Sequence, residues 1–324
     1  PDPDHYEQVN AHCDLLICGG GPAGLMAALV AAEAGLRVIL AEQGPHCGGV
    51  LNHENVELED QPGRYWARQA VARLRDRSNV ILLENTVVAG VYDHNVTTLL
   101  QTGQGTAWRE CLWTVRPGHI LLASGAIEQG LIFPNNDRPG IMLAGALRHY
   151  LNRYAVLPGR KVVIATNNDS AYQTVFDLLQ REVPVTAVVD SRDAISPALK
   201  ERLRMAGTEL LQGARISDTR GFNGLNSVRI AGPDGADLGR RKCDLLAVSG
   251  GWSPRVHLLA HARGSLRFDE PSQSFVPDLR PAAWSVTGAS CRMQHLQQAL
   301  DDAALSASRI CERLERRANG PPVP

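Results

Sequence analysis

Three glycines near the start of the chain stand at G-x-G-x-x-G spacing: Gly19, Gly21 and Gly24. They directly follow an apolar run of strand length, and a helix-like stretch and a second apolar run ending in Glu42 come after them. This order predicts a strand, a tight turn, a helix over residues 23–34 and a second parallel strand. The chain therefore opens with a βαβ unit of the α/β class.

Each residue of this pattern has a separate physical role. Gly19 permits the tight turn, Gly21 lets a pyrophosphate approach the backbone, and Gly24 lets helix and strand pack closely. The helix N-terminus presents free N–H groups and the positive end of its dipole to that anion. The Glu42 carboxylate can accept hydrogen bonds from adenosine ribose hydroxyls, and it repels a 2′-phosphate. The pattern predicts a site for the ADP half of a dinucleotide that disfavours NADP.

Length and charge limit the classes of protein to consider. The 324 residues suffice for two domains, and 44% apolar residues are typical of a globular protein. A formal net charge of −1 and a pI near 6.9 provide no basic field for nucleic acid or an anionic membrane. No apolar stretch reaches the roughly 18 to 20 residues that span a bilayer, and polar residues 1–7 do not resemble a secretory signal. We expect a cytoplasmic chain without nucleic-acid or membrane partners.

The seven cysteines form no C-x-x-C pair and no spacing typical of zinc. We therefore expect reduced, packed thiols, with no disulfide framework and no metal site. The first residue is Pro, and residues 318–324 are rich in Pro, as in a linker. We interpret the sequence as a piece of a longer chain.

Several segments after Glu42 are expected to complete the first domain. The pair Gly48-Gly49 indicates backbone close to a ligand, although a plain turn explains it equally well. Residues 62–77 have helical spacing, and residues 119–126 form a short buried strand ending in small residues beside the cofactor. Alternating residues predict a small meander of strands at 79–83, 87–92 and 96–101.

A second βαβ pattern follows between residues 135 and 263, with strands at 161–166 and 185–189. On its first strand, Thr166, Asn168 and Ala171 occupy the three glycine positions, and Asp190 lies one place beyond the position of the acid. Side chains at two positions that should be bare would obstruct a pyrophosphate. We interpret this unit as a degenerate dinucleotide fold, in preference to a working NAD(P)H site.

The end of the chain is predicted to return to the first domain. Residues 243–254 lead back to it, residues 284–290 form its last strand and turn, and residues 294–317 form a closing helix whose N-terminus points at the cofactor. Flavoenzymes of this architecture usually place an Asp after the glycine of that turn, where it binds the flavin ribityl chain. This chain has Ala289 after Gly288, which favours NAD over FAD.

Residues 126–154, with the unusual run Asn135-Asn136-Asp137-Arg138-Pro139-Gly140, and the odd loop from Thr166 to Tyr172 closely resemble the alpha subunits of heterotetrameric sarcosine oxidases. The resemblance implies the dinucleotide-binding region of a larger alpha chain that carries NAD. It also implies a beta subunit whose FAD oxidises the amine, an FMN at the alpha–beta interface, and further small subunits. Alpha chains of proline and hydroxyproline dehydrogenases and of opine oxidases are related.

The expected fold is that of two-dinucleotide-binding-domain flavoproteins of the glutathione reductase type, with the second Rossmann unit inserted in the first. The predicted boundaries are 1–134 and 264–317 for the first domain, 135–263 for the second, and 318–324 for a linker. We expect no catalytic residue in this chain. The candidate cofactor-binding residues are Gly19, Gly21, Pro22, Ala23, Gly24, Glu42, Gln43, Gly48, Gly49, Ala123, Ser124, Gly125, Gly288 and Ala289.

Other polar residues are weaker candidates. Glutathione reductase-like enzymes place a redox cysteine two positions after the paired glycine, where this chain has Leu51, and Cys47 is expected to be a packed thiol. We expect the histidines at 46, 53 and 295 to be surface or capping residues rather than cofactor contacts. Arg138 suits a phosphate or interface contact and an internal salt bridge about equally.

Two other functions remain open at this point. One is a free-standing FAD-dependent NAD(P)H oxidoreductase, which needs a working second nucleotide site and a flavin. The other is a non-catalytic scaffold in which the nucleotide is purely structural.

Overall fold

A computed structural model describes residues 4–103, 107–278, 280–291 and 295–318. They form two compact units: unit 1 falls within residues 1–52, 56–126 and 254–324, and unit 2 within residues 53–55 and 127–253. Unit 2 is thus inserted in the sequence of unit 1, as the pattern predicted. The expected boundaries at 135 and 263 lie 8 and 10 residues beyond the observed change of unit (135 − 127 and 263 − 253).

The first stretch of the chain contains β1 (Tyr6–Cys18), α1 (Pro22–Glu33), β2 (Val38–Ala41), β3 (Glu57–Leu58), β4 (Gln61–Pro62), α2 (Gly63–Arg75), β5 (Val80–Leu83), β6 (Thr86–Val91), β7 (Thr97–Thr102) and β8 (Glu110–Leu122). The middle stretch contains β9 (Ala126–Glu128), β10 (Ile141–Leu143), α3 (Ala144–Tyr154), β11 (Val162–Thr166), α4 (Ser170–Leu179), β12 (Val185–Asp190), α5 (Pro197–Met205), β13 (Glu209–Gln212), β14 (Arg215–Arg220), β15 (Ser227–Ala231), β16 (Asp237–Lys242), β17 (Leu245–Ser249) and β18 (Trp252–Pro254). The last stretch contains α6 (His257–His261), β19 (Leu266–Asp269), β20 (Ser274–Pro277), β21 (Trp284–Val286) and α7 (Leu296–Ala318). Of the predicted closing helix, Gln294 lies outside the described residues, as do residues 319–324 of the expected linker.

The main sheet of unit 1 has the strand order β5-β2-β1-β8-β7-β6, with β21 also paired to β8. Strands β5, β2, β1, β8 and β21 run parallel, so their carboxyl ends meet at one edge. Leu15, Leu16 and Ile17 of β1 are fully buried, as expected of a central strand covered on both faces. The loops that follow these five strands are therefore neighbours in space.

Two strand predictions in unit 1 were wrong in detail. Residues 80–83 pair in parallel with β2 and do not join the meander, which consists of β6, β7 and β8. Ile81 of this edge strand is 43% exposed. The strand therefore has the alternation of buried and exposed residues that is typical of an antiparallel strand. The strand predicted at 119–126 is longer at its start and ends earlier, at Leu122, because its polar first half forms a ribbon with β1 and β7.

Helices α1 and α7 pack together in the core of unit 1. Their core cluster includes several small residues, namely Ala27, Ala28 and Ala31 of α1 and Ala303 and Ala307 of α7. Small side chains let the two helix backbones approach closely. None of the helices in the described part of the chain is long and apolar enough to span a bilayer.

Unit 2 contains a parallel sheet with the order β10-β17-β11-β12-β13 and a three-stranded antiparallel sheet, β14-β15-β16. The predicted second βαβ unit is confirmed as β11, α4 and β12. Its strands are nearly continuous apolar runs, with Val162, Ile164 and Val188 fully buried. Helices α3 and α4 pack in the same core cluster.

Residues 53–55 belong to unit 2 through polar contacts with α3. His53 stacks on His149 with ring centroids 4.5 Å apart, and Glu54 accepts a 3.1 Å hydrogen bond from Arg148. Arg148 also donates a 3.0 Å hydrogen bond to the buried Asp177. Burial, followed by the neighbouring positive groups His149, Arg148 and Arg153, lowers the pKa of His53 to about 4.

This histidine should make unit 2 sensitive to acid. The pKa of His53 is about 6.5 in the unfolded chain, so the unfolded state takes up the proton first, and the free energy of unfolding falls as pH drops from about 6.5 to about 4. His53→Phe keeps a ring against His149 but cannot titrate, so its unfolding free energy should fall less over that range. Chemical denaturation at about pH 7 and about pH 5 measures the difference, with the exposed His257→Phe as control. Equal pH dependence in the wild type and His53→Phe would contradict the assignment.

Candidate nucleotide site

The glycine-rich turn has the geometry that its spacing predicted. Gly19 has a φ of +113°, and a Cβ there would lie 2.4 Å from the carbonyl oxygen of Ala123. A Cβ on Gly24 would lie 1.9 Å from the carbonyl oxygen of Gly19, so only glycine lets α1 approach β1 this closely. A Cβ on Gly21 would meet no atom within 4 Å. Gly21 therefore borders open space, where the backbone is accessible to a ligand.

Helix α1 begins beside this open space. Pro22 occupies its first turn, and the N–H of Leu25 donates to the carbonyl oxygen of Gly21 at 2.9 Å. The main-chain N–H groups of Ala23 and Gly24 lie before Leu25 in the first turn, so they have no acceptor within the helix. Together with the helix dipole, they favour an anionic group at this end.

Glu42 follows β2 and is oriented by main-chain groups of two loops. One carboxylate oxygen accepts a 2.8 Å hydrogen bond from the N–H of Gly20, and the other accepts a 2.7 Å bond from the N–H of Gly44. Each oxygen of a carboxylate can accept two hydrogen bonds, so both retain capacity for ribose hydroxyls. A Cβ on Gly20 would lie 3.0 Å from Cβ of Glu42. Sequence reasoning missed Gly20, because the fingerprint leaves that position free.

The Gly48-Gly49 pair lies directly against the glycine-rich turn. The N–H of Gly48 donates to the carbonyl oxygen of Gly20 at 2.8 Å, and a Cβ on Gly49 would lie 3.0 Å from Cα of Gly21. Both glycines have a positive φ, +125° and +51°. This pair is therefore part of the wall beside Gly21, and the preceding Gln43 is exposed at the start of the same loop.

The loops after β8 and β21 complete the same edge of the sheet. Ala123 donates its N–H to Cys18 at 2.9 Å, which continues the pairing with β1. Gly125 has a φ of +74°, and a Cβ there would meet nothing within 4 Å. A Cβ on Gly288 would lie 2.8 Å from Cβ of Ala23 at the start of α1. The candidate residues from all five segments thus lie along one edge; as cofactor ligands they remain predictions.

The turn at Gly288 lacks a free acid. Ala289 stands where a ribityl-binding Asp is usual, and the acid bonded to this turn is Asp302 of α7. Asp302 accepts a 2.6 Å hydrogen bond from the hydroxyl of Thr287 and a 3.7 Å bond from the thiol of Cys291. This carboxylate therefore holds the turn to α7. Its role depends on a contact across 15 residues that no local pattern indicated.

The corresponding acid of unit 2 is fully engaged within the protein. Asp190 is completely buried and accepts a 2.8 Å hydrogen bond from the hydroxyl of Tyr172. Arg192 donates to both of its oxygens, from Nε at 3.1 Å and from Nη2 at 2.7 Å, and its own N–H adds a third bond at 3.0 Å. Unlike Glu42, Asp190 has no remaining capacity for a ribose.

The turn of unit 2 is likewise filled by its own side chains. The hydroxyl of Thr166 donates to the carbonyl oxygen of Asn168 at 3.0 Å. The side-chain Nδ2 of Asn168 donates to Ser249 Oγ at 3.0 Å, and its Oδ1 accepts a 2.6 Å hydrogen bond from the hydroxyl of Ser170. The side chains of Thr166 and Asn168 stand at positions where a functional dinucleotide-binding turn has glycine. This supports the interpretation of unit 2 as a degenerate dinucleotide fold.

The weaker candidates are dispersed. His46 and His295 are exposed, whereas His53 is half-buried and stacks on His149 in unit 2. Arg138 makes no salt bridge among the described residues; its Nε donates to Thr219 Oγ1 at 3.3 Å and its Nη1 donates to the carbonyl oxygen of Gly221. These hydrogen bonds fix the Asn135–Gly140 loop beside the turn after β14.

Sequence comparisons show which known proteins the chain is similar to. The FAD-dependent oxidoreductase family matches residues 14–118, which include the glycine-rich turn and Glu42. The sarcosine oxidase alpha subunit of Corynebacterium sp. (strain P-1) is 38% identical over 345 residues, covering 100% of this chain and 35% of that protein. The chain belongs to the sarcosine oxidase alpha-subunit family. It spans about a third of the length of this relative.

Solved structures are similar to the chain in fold. L-proline dehydrogenase from P. horikoshii superposes with a TM-score of 0.71 at 21% identity, covering 96% of this chain and 57% of that one. Thioredoxin reductase from T. acidophilum superposes with a TM-score of 0.73 at 14% identity, covering 93% and 98%. The two-dinucleotide-binding-domain flavoprotein architecture is thereby confirmed.

The chain shares the fold of thioredoxin reductase without a cysteine two positions after its paired glycines. Leu51, two residues after Gly49, is buried, and all seven cysteines carry free thiols. Burial, with the nearby charges of Glu84 and Glu42, raises the pKa of the Cys47 thiol far above its usual range. The reactive form of a cysteine is the thiolate, so Cys47 is an inert packed thiol.

Replacing Gly21 should abolish nucleotide retention and leave the fold intact. The side chain of Gly21→Val would project into the space bordering the turn, where the pyrophosphate is expected, and reduce retained nucleotide about tenfold or more. Gly130→Val is a matched control, because a Cβ on Gly130 also meets nothing within 4 Å. Nucleotide released by denaturation and quantified by mass spectrometry provides the measurement. Full retention in Gly21→Val would remove this turn from the site.

Proposed function

We propose that unit 1 binds NAD within the alpha subunit of a sarcosine oxidase-like multisubunit amine oxidoreductase. The observation that carries this proposal is the bare backbone at Gly21 beside a carboxylate, Glu42, that two main-chain N–H groups orient. The residues fit a dinucleotide: the pyrophosphate would lie against Gly21 and the amides of Ala23 and Gly24, and the adenosine ribose would bind Glu42.

The turn at Gly288 supports NAD over FAD at this site. Ala289 cannot accept a hydrogen bond from a ribityl chain through its side chain, and Asp302 is held by Thr287 and Cys291. The ADP half of the site does not depend on these residues. FAD at this position is the alternative, in line with the FAD-dependent family that matches residues 14–118.

Amine oxidation, in this proposal, takes place at FAD on a partner beta subunit, with FMN at the interface and small subunits completing the assembly. The relative from Corynebacterium is named as a subunit, which supports partners for this chain. Burial also raises the pKa of the Cys13, Cys18 and Cys47 thiols in unit 1, so these three cysteines are not in the reactive thiolate form. The chain would hold a nucleotide for the assembly without oxidising the amine itself.

A free-standing FAD-dependent NAD(P)H oxidoreductase fits the structure less well. It would need unit 2 to bind a second nucleotide, and there the bonds of Asp190 to Tyr172 and Arg192 occupy the acid. A non-catalytic scaffold would also bind the nucleotide in unit 1. It differs from the proposed function only in that the bound nucleotide takes no part in electron transfer. Measurements on the assembled enzyme separate that alternative from the proposed function.

Glu42 should determine the choice of nucleotide. Glu42→Gln removes charge-assisted hydrogen bonds to the ribose, each worth about 1.5 to 3 kcal/mol, so NAD should bind about tenfold more weakly or worse. The loss of negative charge should also relax the discrimination against NADP. Calorimetric titration with both nucleotides measures this, and Glu33→Gln, at the exposed end of α1, is the control. If Glu42→Gln binds NAD normally and still rejects NADP, Glu42 does not contact the ribose.

The isolated chain should bind one nucleotide and be inactive alone. Mass spectrometry of the denatured protein should identify NAD, and the native chain should show no flavin absorbance. It should also show no NADH oxidase or diaphorase activity, and no oxidation of sarcosine or proline until a flavin-bearing partner is added. Steady turnover of NADH with oxygen or a dye would instead establish the free-standing reductase.

A further inference from the structure

The side chain of Arg255 contains a buried donor that the protein does not satisfy. Among the described residues, Arg255 Nε and Arg240 Nη1 are the buried side-chain polar atoms without a hydrogen-bond partner. The guanidinium of Arg240 is paired with Asp218 through Nη2 at 3.0 Å, whereas no described acid forms a salt bridge with Arg255. A buried unpaired N–H on a cation is costly, and such groups are usually satisfied by a ligand or an ordered water.

Main-chain hydrogen bonds fix Arg255 at the end of β8. Its N–H donates to the carbonyl oxygen of Gly125 at 2.9 Å, and its carbonyl oxygen accepts a 2.6 Å hydrogen bond from the hydroxyl of Ser124. The fully buried Ser290 links the same loop to the turn after β21, because its hydroxyl lies 3.2 Å from both Ser124 Oγ and the carbonyl oxygen of Gly125. These bonds do not involve the guanidinium, so a substitution at Arg255 leaves them in place.

The order of the strands locates Arg255 relative to the nucleotide. Along the carboxyl edge of the main sheet, the strands lie in the order β2, β1, β8 and β21, and neighbouring strands are about 4.8 Å apart. Glu42 follows β2 and Gly21 follows β1, so a dinucleotide with its ribose at Glu42 and its pyrophosphate at Gly21 continues towards β8. Gly125 lies there, with open space at its Cβ position. Arg255 is bonded to Gly125, on the side of the pyrophosphate away from Glu42.

We propose that Arg255 binds the half of the dinucleotide beyond the pyrophosphate, with its guanidinium, which makes no hydrogen bond to a described residue, donating to an oxygen of that half. An arginine donates and cannot accept hydrogen bonds, so the partner atom is an acceptor such as a ribose or carboxamide oxygen. The inference rests on the proposed NAD site in unit 1. It adds a contact at the opposite end of the ligand from Glu42, from a residue that the sequence analysis assigned to the second domain and that lies in unit 1.

The test compares NAD with ADP, which lacks the distal ribose and nicotinamide. Arg255→Met removes the donors and keeps an unbranched stem, so NAD affinity measured by calorimetry should fall about tenfold or more while ADP affinity changes less than about twofold. Arg255→Lys retains one cationic donor group and should recover part of the loss. Arg263→Met, at an exposed position of unit 1, is the control and should bind both nucleotides as the wild type does.

The outcomes separate this inference from the proposed function. If the wild type binds NAD and ADP but Arg255→Met binds NAD unchanged, or loses both nucleotides equally, Arg255 does not contact the distal half and the inference is overturned. If the wild type binds neither nucleotide, the NAD site itself is wrong. A selective loss of NAD in Arg255→Met, partly restored in Arg255→Lys, supports both.

Discussion

The close approach of helix α1 to strands β1 and β8 is the constraint on which the site depends. Two contacts define it: Gly24 faces the carbonyl oxygen of Gly19, and Gly19 faces the carbonyl oxygen of Ala123. Any side chain at either glycine would overlap main-chain atoms, which cannot move aside as a flexible side chain can. Because the turn is held this tightly, the start of α1 is brought to the edge where Glu42, Gly49, Gly125 and Gly288 converge.

The two units differ in how the acid at the end of the second strand of each βαβ unit is hydrogen-bonded. Glu42 is half-buried and accepts one main-chain hydrogen bond on each oxygen, whereas Asp190 is fully buried and accepts four bonds from Tyr172 and Arg192. An acid saturated by its own protein contributes to the stability of the fold and cannot recognise a ligand. Unit 2 therefore retains the architecture of a dinucleotide-binding domain with its recognition groups turned inward.

The sequence predicted those parts of the structure that depend on local pattern. The glycine spacing and the apolar runs identified β1, α1, β2 and the βαβ unit of unit 2, because both signals arise within about 30 residues. It did not predict the ribbon formed by the polar halves of β1 and β8, since the alternation of polar and apolar residues in an exposed ribbon is not specific to that structure. Contacts between distant residues were also missed, among them the stacking of His53 on His149 and the bonds that fix Arg255 to Gly125. Such contacts follow from topology, which a single sequence does not state.

The insertion of unit 2 has a consequence for the order of events during synthesis. Strand β21 and helix α7 follow unit 2 in the sequence, yet β21 pairs with β8 and α7 covers the alanines of α1. A ribosome produces β1, α1 and β8 before unit 2, so the nascent chain carries an unpaired edge on β8 and an uncovered apolar face on α1 while more than a hundred further residues are made. Unit 2 can complete its own core during that interval, but unit 1 must wait for the last helix. Chaperone dependence and aggregation of chains truncated before β21 should therefore originate in unit 1.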